Sequence, residues 1–60
     1  MIKPGTLAEY LYVNCTLNDL AKLLLTESFG ELEQLSQEWK LSIVNCKKQI
    51  ELAIYHIKQD

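Results

Sequence analysis

Few side chains in this sequence could do chemistry: the cysteines Cys15 and Cys46, the lone histidine His56, and carboxylates grouped around Glu27, Glu31 and Glu38. A thiol and an imidazole form a nucleophile and base only within hydrogen-bond reach. Cys46 and His56 stand ten positions apart on their common helix, about 15 Å along its axis, and so cannot meet. The carboxylates fall at helix starts and on polar faces, where acids act as caps and solvating charges rather than tuned proton donors. The cysteines lack a CxxC spacing, and with one histidine they supply too few ligands for a structural zinc ion. Neither a glycine-rich phosphate loop nor an acidic calcium loop is written in the chain. The sequence therefore assigns no catalytic, metal or cofactor-binding residue, and a non-enzymatic protein is expected.

Composition narrows the remaining classes. Eight acidic residues face six basic ones, a net charge of −2, and every basic residue is lysine. Arginine is the side chain that reads guanine and grips phosphate with two parallel hydrogen bonds, so its absence counts against sequence-specific nucleic-acid recognition. No apolar run reaches the roughly 18 residues needed to span a bilayer. The segment Leu7 to Cys15, interrupted by Glu9, is not expected to act as a secretory leader. A reduced, cytoplasmic protein with both thiols free is the expectation. Sixty residues suffice for a single all-α domain over 1–60, and such a domain buries only about 60% of the surface its unfolded chain exposes. That shortage points to a partner subunit.

The elements follow from three hydroxyl residues, each three positions ahead of an acid: Thr6 with Glu9, Thr16 with Asp19, and Ser28 with Glu31. Each pair can form a capping box, in which the hydroxyl accepts from a first-turn N–H and the acid reaches back to the cap. Pro4 and Gly5 close an extended stub over 1–5. A first helix over 7–14 is apolar nearly all round, and is expected to pack on more than one side. A second, over 17–26, carries Leu17, Leu20, Ala21 and Leu24 at helical spacing, widened by Leu23 and Leu25. Asn14, Cys15 and Thr16, indifferent helix formers, mark the break between them. From 29 to 58 nothing in the pattern forbids one continuous helix, a rod of about 45 Å. The expected fold is a helical hairpin: two short N-terminal helices folded back on one long C-terminal helix, paired as a dimeric helical bundle.

The long helix would carry two apolar stripes. Leu32, Ser36, Trp39, Ile43, Cys46, Ile50, Ala53 and Ile57 alternate at spacings of four and three, the seam of a coiled coil, with Leu35 and Ile54 beside it. Leu41, Val44, Leu52 and Tyr55 lie nearly opposite, interrupted by Lys48, whose aliphatic stem can cover apolar neighbours. The first stripe serves the core. The second is left over, and a symmetric pair of hairpins would shelter it. Leu41, Val44, Lys48, Leu52, Tyr55 and Trp39 are thus the expected partner or dimer interface, the aromatic residues its anchors. The function this implies is a small protein–protein interaction module, a regulator, inhibitor or adaptor acting as a homo-oligomer. Its partners would be a second copy and another protein bound through an apolar helix face. The alternative is a small DNA-binding or transcription-associated factor built on a helix-turn-helix. There, Glu31, Glu33 and Glu38 would meet phosphates first.

Overall fold

The computed structural model describes residues 2–25 and 29–59, and all regular structure among them is helical. Among the described residues there are four helices: α1 (Leu7–Asn14), α2 (Leu17–Leu23), α3 (Phe29–Trp39) and α4 (Ile43–Gln59). The expected Ser28–Glu31 cap and the expected end of the second helix at Thr26 involve positions outside the described residues; α2 itself stops at Leu23.

Local chemistry sets the first two starts. Gly5, at φ +79°, turns the chain into Thr6, whose extended backbone and side-chain oxygen cap α1 by accepting from the Glu9 N–H at 3.3 Å. The Glu9 carboxylate reaches past Thr6 and accepts from the Gly5 N–H at 2.9 Å, so this cap is a variant of the expected reciprocal box. At α2 the box closes fully: the Asp19 N–H donates to the Thr16 hydroxyl oxygen at 3.2 Å, and the Thr16 N–H donates to the Asp19 carboxylate at 3.1 Å. Such caps satisfy N–H groups that have no partner within the helix.

The single long helix does not form; it is broken at residues 40–42. Lys40 adopts φ 54°, the left-handed conformation that terminates helices, and the Leu41 N–H folds back to the Ser36 carbonyl at 3.0 Å. This is the closure in which a residue two past the helix end bonds a carbonyl of its last turn. The Ser36 hydroxyl adds a bond to the Leu41 carbonyl. Ser42 then starts α4, its side-chain oxygen accepting from the Asn45 N–H at 3.2 Å and its carbonyl from the Cys46 N–H at 2.9 Å. The physical reason for the break is reach. A rod of about 45 Å would carry half of its apolar seam beyond the two short helices, whereas the folded chain is only 29 Å in its longest dimension. Its radius of gyration, 10.5 Å, matches the value of about 10.4 Å that a compact 60-residue chain should have.

Helix α4 is the platform, and α1 packs along it most extensively, followed by α2 and α3. Cys46, Ile50 and Ala53 supply its fully buried seam; Leu7, Ala8 and Leu11 meet it from α1, Leu20 and Leu23 from α2, and Leu32 from α3. Leu35, Trp39, Ile43, Ile54 and Ile57 pack around this centre half-buried, so the first stripe serves the core despite the break. A side chain from α4 also completes α1: Gln49 Oε1 accepts the Ala8 N–H at 3.1 Å, giving an unpaired first-turn donor a tertiary partner.

Two expectations about the short helices are corrected. Helix α1 buries one face rather than several, since Tyr10 and Val13 are exposed, Val13 at 72%. Eight residues lying along a single platform have only one side to bury. On α2, Leu17 and Ala21 are exposed while Leu20 and Leu23 are buried, so its inward stripe is rotated from the expected one.

Candidate functional site

Apolar side chains stand open singly at Tyr10, Val13, Leu17 and Leu25, and as a group on the outer face of α4. Around a helix advancing about 100° per residue, Val44, Tyr55, Lys48 and Leu52 fall within an arc of roughly 80°, opposite the seam of Cys46, Ile50 and Ala53. Val44 is 62% exposed, Tyr55 57% and Leu52 40%, and Lys48 is also exposed. Lys47, Glu51 and Lys58 flank this arc on one side, all exposed, and Asn45 and His56 on the other. The Tyr55 ring meets the His56 imidazole edge-on, with centroids 5.3 Å apart, at the C-terminal end of the face.

Two of the expected interface residues lie elsewhere. Leu41 precedes the Ser42 cap instead of riding on a continuous helix, and is half-buried against the core. Trp39 ends α3, half-buried, with its ring 5.7 Å from that of Tyr10 on α1. The break at Lys40 thus removes both from the face that Val44, Lys48, Leu52 and Tyr55 share.

Sequence reasoning missed a second surface. Between α3 and the α1–α2 pair runs a groove holding a cavity of about 380 Å³, floored by Leu11, Leu23 and Leu35. Glu31, Gln34 and Glu38, at successive spacings of three and four, form its wall on α3. Tyr10 and Cys15 stand across from them. The groove continues past Cys15, Leu23 and Glu31 to Asp19 and Lys22. The signal was legible, because Glu31, Gln34 and Glu38 mark one face of a helix, but the floor comes from three separate helices and only the fold assembles it.

Compared with protein-family models, curated proteins and solved structures, the chain matches none.

The chemistry-bearing side chains are dispersed. Cys46 is buried in the core and Cys15 half-buried at the groove, both as free thiols. Burial pushes the Cys46 thiol above its ordinary value; at Cys15 burial acts first and the Asp19 charge adds to it. A raised pKa keeps a thiol protonated and poorly nucleophilic at neutral pH. Among the described residues no three histidine, cysteine or acidic side chains are gathered as metal ligands, and no helix is long and apolar enough to cross a membrane. What the arrangement offers is surface: an open apolar arc set among lysines, and an apolar groove walled by acids.

Proposed function

We propose that this chain is a non-enzymatic protein–protein interaction module, a regulator, inhibitor or adaptor, that acts as a homo-oligomer through the outer face of α4. One observation carries the reading: Val44, Leu52 and Tyr55 stand exposed together on the helix whose opposite side anchors the whole core. Covering such side chains yields roughly 1.5–3 kcal/mol each in gross burial. Part of that is consumed by the lost freedom of association. A two-fold pair lets each copy cover the other with the same residues, so one sequence change is felt twice. A further protein would bind through the same helix face, in the manner of a helix laid against an apolar groove. The free thiols fit a reducing, cytoplasmic setting.

The test is the solution mass by sedimentation of the wild type and of V44E/L52E. The wild type is expected to run as a dimer at micromolar concentration. The variant should run as a monomer with unchanged helix content by circular dichroism, because both sites are exposed. A variant with wild-type mass would remove the outer face of α4 from the contact.

Helices α3 and α4 are joined by three residues, a connection as short as that of a helix-turn-helix, and exposed Asn45, Lys47 and Lys48 fall early in the second helix. Against nucleic acid stand Glu31, Glu33 and Glu38, all exposed on the preceding helix, which phosphates repel. Protein recognition is the reading these charges favour.

A further inference from the structure

We propose that the groove between α3 and the α1–α2 pair is the receptor for the outer face of α4 from a second copy of this chain. The proposal rests on the self-association reading above and names the surface that receives it. Its first support is charge. Helix α3 carries Glu31, Glu33 and Glu38 and no lysine, whereas α4 carries Lys47, Lys48 and Lys58 against the single acid Glu51. Two of those α3 acids, Glu31 and Glu38, wall the groove, and they lie seven positions apart on one helix face, about 10.5 Å along the axis.

The second support is the match of polarity in cross-section. The groove has an apolar floor and an acidic wall. The outer face of α4 has an apolar arc with Lys48 inside it and Lys47 on its flank. Laid into the groove, Val44, Leu52 and Tyr55 would cover the half-buried Leu35 and the exposed Tyr10, above the already buried Leu11 and Leu23, while the lysine heads reach Glu31 and Glu38. At about 380 Å³, the cavity sits at the small end of the range for ligand pockets, and so suits a few side chains of an entering helix. The same α4 face pressed against its own copy would instead leave Lys47, Lys48 and Lys58 facing a helix whose single acid is Glu51. Docking the α4 of one copy into the groove of another gives those lysines the acids of α3 instead.

A charge exchange tests this. The double variants E31K/E38K and K47E/K48E change only exposed side chains, and circular dichroism should show wild-type helix content for both. Each alone is expected to self-associate at least about tenfold more weakly than the wild type. An equimolar mixture should recover a heterodimer of near wild-type affinity, which a misfolded variant could not do. Wild-type association by E31K/E38K, or a mixture that stays monomeric, overturns the groove assignment. If V44E/L52E dissociates the wild-type dimer while E31K/E38K does not, the α4 interface stands and the groove alone is lost. If the wild type is itself a monomer, the self-association reading falls and this proposal falls with it.

Discussion

The two joints of this chain do the same job by different means. Between α1 and α2 the chain turns through Cys15 and Thr16, and the turn is written in side chains: Thr16 and Asp19 hold each other's backbone N–H groups. Between α3 and α4 it turns through Lys40, Leu41 and Ser42 with neither glycine nor proline, and with a lysine in the left-handed conformation. The first joint stands on a local preference. The second stands against one, since a left-handed non-glycine residue costs roughly 1–2 kcal/mol. The bonds between Ser36 and Leu41 and the Ser42 cap offset part of that cost, and packing offsets the rest: the break lets Leu32 on one side and Cys46, Ile50 and Ala53 on the other reach the same short helices. Caps alone can thus enforce a joint, while packing can help impose one that the backbone preference of its own residues opposes.

Straightening the second joint should have the largest effect. Replacing Lys40, Leu41 and Ser42 together by alanine favours one continuous helix, removes the Ser42 cap and deletes a half-buried leucine. The cap is worth about 1 kcal/mol, and the leucine and the lost closure bring the expected destabilisation to about 3 kcal/mol. Thermal unfolding at fixed protein concentration would read this as a fall of more than about 10 °C, given some 4–8 °C per kcal/mol for so small a domain. A variant that melts with the wild type would mean that the break is incidental to the core.

A smaller change of opposite sign is expected from Lys40→Gly. Glycine adopts the left-handed conformation without strain, though it gives back part of the gain, about 0.4–1 kcal/mol, through the greater freedom of the unfolded chain. The net expectation is a stabilisation of about 0.5 kcal/mol, measured as a shift of the urea midpoint with unchanged slope. The same denaturation series with Lys40→Ala should show no gain. If glycine destabilises, the left-handed turn is not where the second joint holds its strain.

This contrast also explains how much could be read from the sequence. The all-α class, the starts of α1 and α2 and the inward seam of the C-terminal half follow from hydroxyl–acid spacings and helical periodicity, both local signals. The break at Lys40 was not legible, because the residues around it read as helix-compatible and its N-cap, Ser42, is followed three positions on by Asn45 rather than a glutamate. Placing Leu41 and Trp39 on the α4 face failed for the same reason, since a face that continues through a break exists only on paper. The bond from the Ala8 N–H to Gln49 joins positions far apart in the chain and could emerge only from the fold. Val44, Lys48 and Leu52 could be grouped because they are one helical turn apart within a single element.

In acid the two joints should respond differently, though only slightly. The cap at the first joint contains a titratable group, Asp19, and that at the second, built on Ser36, Leu41, Ser42 and Asn45, contains none. The Asp19 carboxyl is held below its ordinary value first by the Thr16 N–H, then by the Thr16 hydroxyl, with the Lys22 charge assisting against a little desolvation. A carboxyl depressed by folding adds stability above its unfolded value, near pH 4. That contribution is lost as the pH falls from there through the folded value, because the unfolded chain takes up the proton first. Asp19 lies at the fully exposed surface, so the loss should be slight and local, a fraying of the first turn of α2. Amide chemical shifts followed by NMR from pH 6 to pH 2 should show Thr16 and Asp19 moving together through one transition below pH 4, while Asn45 and Leu41 stay still. In Asp19→Asn, which can still accept the Thr16 N–H but carries no charge, the transition at Thr16 should vanish. If it persists there, or if Asn45 follows the same curve, the two joints are not the independent devices that their hydrogen bonds describe.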